Sequence, residues 1–266
     1  MVIVVIAMLI SILLPSLQRV RKQANDIGCQ ANLREWGVVI NVAAAENDGE
    51  PAPCFENFYG PNPAGGANIW EYAHGRGTLS LCPAASRLAK GKVFLDEDGS
   101  THWTHGSAFS AGWAASGDGS IVAAFSYAFN GSLVPQRTPE HPKTFVRWWS
   151  SVSRKGCPHA SIPVIFDGLR GGETGAWSSE SKLGPPPFED YIGPSSPGSS
   201  WPYLCFNRHN GGVNYLFLDW SVRKVGVKEL WTLKWDKDFD TAGPWTKAGG
   251  VKPEDWPQWM RRFKDY

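Results

Sequence analysis

Three side chains able to bind a cation or anchor a hydrogen-bond network stand at the ends of apolar segments: Asp167, His209 and Asp219. Asp167 closes Ile162-Pro-Val-Ile-Phe-Asp-Gly168, which reads as a short buried strand ending in an Asp-Gly turn. His209 and Asp219 bracket Asn210-Gly-Gly-Val-Asn-Tyr-Leu-Phe-Leu218. Its Asn210-Gly211 step is a strong hairpin signal, because both central positions of a type I′ turn need positive φ. Taken singly, each of the three polar residues satisfies the backbone of its own turn. Taken together, two carboxylates and an imidazole could form a hydrogen-bonded polar cluster or a calcium-like site.

Other candidates carry less. His102 and His105, three apart in His-Trp-Thr-His, would share a helical face, but nothing nearby supplies the third and fourth ligands. Asp96-Glu-Asp-Gly-Ser100 lacks the spacing and terminal Glu of a calcium loop and reads as a solvated hairpin tip. The five cysteines (Cys29, Cys54, Cys82, Cys157, Cys205) are odd in number and widely spaced, with no CxxC pair, so neither a zinc ribbon nor a redox motif is indicated. Ala108-Phe-Ser-Ala-Gly112 is a loose relative of a nucleophile elbow without the strand-turn-helix pattern that would support it. No GxSxG, P-loop, HExxH or Rossmann fingerprint occurs, and the expectation is a protein that is not an enzyme.

The elements that must position these residues begin with Met-Val-Ile-Val-Val-Ile-Ala-Met-Leu-Ile-Ser-Ile-Leu-Leu14, which carries no charge. As a helix those residues span about 21 Å, short of the ~30 Å hydrocarbon core of a bilayer. Beyond Pro15, Leu17, Val20, Ala24, Ile27 and Ala31 recur at amphipathic helical spacing. The helix is expected to stop near Asn47-Asp48-Gly49, with Pro51 and Pro53 unable to continue it, which makes it about 46 residues and close to 70 Å long. The 213–218 and 221–227 segments, with 203–208 as the first hairpin arm, predict a three-stranded antiparallel meander over 203–227. Residues 184–202 read as a long Gly/Pro/Ser-rich loop, 227–235 as a short packed helix, and Pro253 with its acids as a first helical turn.

Composition narrows the function further. Lys+Arg 26 against Asp+Glu 25 gives a formal charge of +1, which argues against nucleic acid as a partner. Fourteen tryptophans, seven of them from Trp201 to Trp259, read either as core or as an exposed aromatic platform for glycans.

The run Val-Ile-Val-Val-Ile-Ala-Met-Leu-Ile-Ser-Ile-Leu-Leu-Pro-Ser-Leu-Gln-Arg-Val-Arg-Lys-Gln-Ala24, followed by Cys29-Gln-Ala-Asn-Leu-Arg-Glu-Trp-Gly37, resembles the N-terminal helix of type IV pilins and type II secretion pseudopilins. The branch it resembles carries a carboxy-terminal H-x9-DG signature, common in planctomycete-type bacteria. Here His209 and Asp219 hold that spacing, with Trp220 in place of Gly, and Cys82-Pro83 resembles a recurrent Cys-Pro. The resemblance covers about residues 1–50 and 160–225. The family's Gly-Phe-Thr-Leu-Ile-Glu stretch does not precede Met1, and in-frame codons encoding it are an expectation of the pilin reading.

The resemblance implies an α+β fold: a filament-core helix over 1–49 packed against an antiparallel head over 50–266, whose tail is 228–266. It places the Asp167 strand beside the hairpin, so that Asp167, His209 and Asp219 converge. It also implies a helical homopolymer assembled through Val5, Ile6, Leu9, Ile10, Leu13, Leu14, Pro15, Leu17, Val20, Ala24 and Ile27. The partners are then a membrane before assembly, a prepilin peptidase and the assembly machinery, and the location an inner membrane followed by a periplasmic or extracellular filament. The alternative is a membrane-tethered surface module recognising polysaccharide through its tryptophans.

Overall fold

A computed structural model describes residues 2–46, 79–90, 94–95, 101–116, 121–133, 158–169, 173–175, 178–191 and 199–266. It is an α+β structure in which one long N-terminal helix packs on a largely antiparallel sheet. Helix α1 runs over Val2–Glu46 with Pro15 inside it. The missing proline N–H costs one ladder bond, and Ser11 and Ser16 donate their hydroxyls back to the carbonyls of Met8 and Leu13 on either side of it. The helix continues through Glu46; the expected Asn47-Asp48-Gly49 stop lies outside the described residues, as does the Asp96-to-Ser100 tip.

Among the described residues the head has nine strands: β1 (Phe94–Leu95), β2 (Thr101–Thr104), β3 (Gly112–Ser116), β4 (Ile121–Phe125), β5 (Tyr127–Asn130), β6 (Pro163–Asp167), β7 (Glu173–Thr174), β8 (Gly212–Phe217) and β9 (Val222–Gly226). The first four form an antiparallel sheet in chain order. The larger sheet has the order β7-β5-β6-β8-β9, antiparallel except for the β5–β7 pair. Both faces of its centre are buried, so β6 and β8 are buried throughout and mostly apolar, the polar exceptions being Asp167 and Asn214.

Strand periodicity divides the side chains of β8 between two cores. Leu216, and Leu218 just beyond the strand, face α1 and join Cys29, Leu33, Trp36 and Ile40. Val213, Tyr215 and Phe217 face the other way, into Trp201, Trp231, Trp235, Trp256 and Met260. Trp201 stacks on Trp231 at 4.2 Å, and Trp256 meets Trp231 edge-on at 5.6 Å. These four indoles are therefore core, which removes them from any exposed glycan platform.

Several local expectations need correction. Residues 203–208 are not the first arm of the meander. Trp201–Leu204 is a short helix, α2, straddling the end of the expected 184–202 loop and the start of the expected arm, and the strand paired with β8 on that side is β6. The Asn-Gly turn itself forms, with φ of 50° at Asn210 and 94° at Gly211. His102 lies in β2 and His105 just past it, so extended backbone replaces the helical face that would have brought them together. In place of the packed helix expected over 227–235 there is a single 3-10 turn, Glu229–Thr232, and Pro253–Asp255 forms a second, closed by a capping interaction with Asp255.

Candidate functional site

Four chemically capable side chains converge where α1 crosses the large sheet. Cys29 comes from the buried face of α1, Cys82 from the turn before a 3-10 segment (Pro83–Ala85), Asp167 from the end of β6, and His209 from the hairpin turn ahead of β8. Cys82 is extended (φ −67°, ψ 130°), as its position before Pro83 requires. Gly28 sets the close approach: a Cβ there would lie 3.1 Å from Pro83 Cγ, so a larger residue would push the two cysteine-bearing segments apart. Hydrogen bonds from α1 hold that crossing, Trp36 Nε1 to the Leu79 carbonyl (3.0 Å) and Asn32 Nδ2 to the Leu81 carbonyl (3.0 Å).

Within the cluster one donor atom from each residue lies within 4.8 Å of all the others. Cys29 Sγ is 3.5 Å from both carboxylate oxygens of Asp167, Cys82 Sγ is 3.4 Å from His209 Nε2, and His209 Nε2 is 3.1 Å from Asp167 Oδ2. All four residues are buried. Around them, Arg208 Nη1 donates to Asp167 Oδ1 at 2.8 Å and the Asn214 N–H donates to Oδ2 at 2.8 Å. The other Arg208 protons reach the carbonyls of Ala108, Ser107, Ser126 and Gly168, so this buried guanidinium is fully engaged. Tyr127 donates its hydroxyl to Cys29 Sγ at 3.4 Å. On the far side of the imidazole, Asp26 Oδ1 lies 3.6 Å from His209 Nδ1, with Asp26 held by Asn214 Nδ2 (2.8 Å) and Lys224 Nζ (2.9 Å).

Burial works against every charge here, and the neighbours decide which survive. Burial lifts Asp167, but the charges of His209 and Arg208 outweigh it and hold the carboxyl well below the usual range. Burial lowers His209, yet the Asp167 carboxylate and the bonds to Asp167 and Cys82 raise it to about 10. Burial lifts Cys82 as well, but its bonds with Cys29 and His209 and the Arg208 charge bring it down to about 6. Cys29 goes the opposite way, pushed up by burial, the Cys82 contact and the Asp167 charge. The shifts thus run in complementary directions, with Cys82 and Asp167 drawn down beside a raised His209 and the Arg208 guanidinium.

A cysteine beside a histidine suggests a nucleophile, but the geometry does not make a relay. A triad puts the nucleophile on one ring nitrogen and the orienting carboxylate on the other. Here Cys82 Sγ and Asp167 Oδ2 both approach Nε2, and Cys82 is fully buried. The donors point at a common centre instead.

Of the three site residues expected from sequence, Asp167 and His209 meet and Asp219 does not. The ten-residue interval between His209 and Asp219 is occupied by a strand rising about 3.3 Å per residue, which sends the two to opposite ends of β8. Asp219 instead accepts from the Ser221 N–H (3.0 Å) and hydroxyl (2.6 Å) in the exposed β8–β9 turn, where Trp220 takes φ 65°. The calcium-like reading also fails on donor chemistry, because calcium takes six to eight oxygen ligands and this cluster offers two sulfurs, a nitrogen and one carboxylate. Sequence reasoning missed Cys29 and Cys82: they lie far apart in the chain, and the only hints were the Cys-Gln-Ala-Asn-Leu and Cys-Pro segments. Compared with known proteins, the chain matches no family model, no curated protein and no solved structure.

Proposed function

We propose that this chain is a structural subunit of a helical filament, of the type IV pilus-like or type II secretion pseudopilus-like kind, assembled through its N-terminal helix. The observation that carries the reading is the division of α1. Cys29, Leu33, Trp36, Ile40 and Ala44, at helical spacing, are buried against the head. From Ile3 to Ala24 every described side chain is exposed, and so is Ile27. Ile6, Leu9, Ile10, Leu13, Leu14, Pro15, Leu17, Val20, Ala24 and Ile27 are therefore unused by their own head; the Val5 side chain lies outside the described residues.

That free arm is about 34 Å long at 1.5 Å per residue. An apolar arm needs an apolar partner. No helix among the described residues is long and apolar enough to cross a membrane. The uncharged first fourteen residues, followed by Arg19, Arg21 and Lys22, suit partial insertion before assembly and the arms of other subunits afterwards. Ten large apolar side chains are exposed between Ile3 and Leu17. Covering half of them is worth about 8–15 kcal/mol, on the scale of the roughly 4–15 kcal/mol that association costs. Head-to-tail contacts that do not close then extend into a filament with the arms at its axis.

The test is a double substitution, Leu9→Arg with Leu13→Arg, in cells that produce the protein. Neither residue touches the head, so the near-ultraviolet circular dichroism of the purified protein is expected to be unchanged while filaments are lost. Filaments as abundant as those of the unsubstituted protein would rule the reading out.

A further inference from the structure

We propose that Cys29, Cys82, Asp167 and His209 bind one zinc ion as a structural staple between α1 and the head. The inference does not depend on the filament assignment, since it rests on donor geometry alone.

A tetrahedral zinc with Zn–S of about 2.3 Å, Zn–N of about 2.0 Å and Zn–O of about 2.0–2.2 Å requires its ligand atoms to be about 3.3–3.8 Å apart. The separations present are 3.5 Å from Cys29 Sγ to Asp167 Oδ2, 3.4 Å from Cys82 Sγ to His209 Nε2 and 3.1 Å from His209 Nε2 to Asp167 Oδ2. Shifts of a few tenths of an ångström bring these three edges to the required lengths, and the remaining pairs, all within 4.8 Å, need to close by no more than about 1 Å as the donors draw in around the ion. Two sulfurs, one imidazole nitrogen and one carboxylate oxygen are a set that zinc accepts and that calcium or magnesium does not.

The surroundings are those of a ligand sphere. The ring nitrogen not aimed at the centre faces the Asp26 carboxylate, itself fixed by Lys224 and Asn214, the arrangement that orients metal-bound histidines. Arg208 engages Asp167 through Oδ1, leaving Oδ2 to the cluster. Charge also closes: two thiolates and one carboxylate balance the dication and the Arg208 guanidinium, with His209 neutral. Four protein ligands in a buried centre leave no open position for a substrate, so the site is structural. Its ligands come from four separate chain segments, and the ion would fix the point at which the helix leaves the head.

The experiment uses the full-length chain purified in detergent under reducing conditions, with zinc measured by mass spectrometry and cobalt(II) exchanged in as a spectroscopic probe. One equivalent of zinc per chain is expected, and the cobalt form should show a sulfur-to-cobalt charge-transfer band with the intense visible bands of a tetrahedral site. Cys82→Ser should weaken zinc affinity by about 100-fold or more and diminish the charge-transfer band. Asp26→Asn should keep the stoichiometry and lower affinity by about 10–100-fold. Absence of zinc uptake by the reduced chain overturns the proposal, as does a Cys29–Cys82 disulfide in place of the metal. If Cys82→Ser does not fold, the unsubstituted protein still decides, because a cobalt spectrum without sulfur ligation also overturns it.

Discussion

Replacing Arg208 with Met tests whether the Asp167–Arg208 pair behaves as a fully desolvated ion pair. Both side chains are completely buried, 2.8 Å apart, and the guanidinium also serves four backbone carbonyls. Met restores much of the volume but no charge. Removing one member of a buried pair costs about 3–5 kcal/mol. The carbonyls of Ala108, Ser107, Ser126 and Gly168 each lose a donor worth roughly 0.5–1.5 kcal/mol. The two contributions together reach about 5–11 kcal/mol, and His209, 3.1 Å from the other oxygen of Asp167, offsets part of the orphaned charge, so a net loss of at least about 3–5 kcal/mol is expected. At roughly 2–4 °C per kcal/mol for a domain near this size, the melting temperature should fall by about 6–20 °C. The assay is thermal unfolding by near-ultraviolet circular dichroism in chelator. Arg223→Met is the control, because the Arg223–Glu229 pair is half exposed and worth less than about 1 kcal/mol. A fall for Arg208→Met no larger than the control's would refute the buried-pair reasoning.

Three further outcomes follow from the same geometry. A fragment spanning residues 18–266 keeps every α1 residue that packs on the head, so it should be monomeric with a melting temperature close to that of the full chain; a fragment of 37–266, lacking Cys29, Leu33 and Trp36, should show no cooperative melt. Asp219→Ala removes two turn hydrogen bonds, a loss of about 1–3 kcal/mol, and should leave zinc stoichiometry at the unsubstituted value, whereas Asp167→Asn should lower it. Gly211→Ala places a Cβ at φ 94° and 3.3 Å from Phe263, so denaturant titration should register a loss of about 1–2 kcal/mol.

The elements legible in sequence were those specified by local patterns. Leu17, Val20, Ala24 and Ile27 marked the helix, the apolar run ending at Asp167 marked β6, and Asn210-Gly211 marked the turn into β8. What was not legible is set by non-local contacts. Residues 203–208 carry strand-like aromatics, but β6 pairs along that side of β8 and leaves them to α2 and the turn. The buried tryptophans were ambiguous because an indole suits a core and a glycan platform alike, and only the apolar second face of the sheet decides between them. Trp220 at positive φ contradicts local preference; its half-buried ring packs against the core beneath α1, which holds the residue in place of the glycine the turn favours. For the site, Asp167 and His209 were visible as residues at segment ends. Cys29 and Cys82 were not, since their meeting depends on how closely α1 crosses the segment carrying Pro83, a distance that Gly28 permits but no spacing encodes.

Electron cryo-microscopy of assemblies isolated from cells making the full-length chain tests the central claim most directly. The filament account predicts ordered helical polymers with the 2–24 arms packed at the axis and the tryptophan-cored heads outside. Dispersed membrane-bound monomers, with no polymer at any expression level, would contradict it.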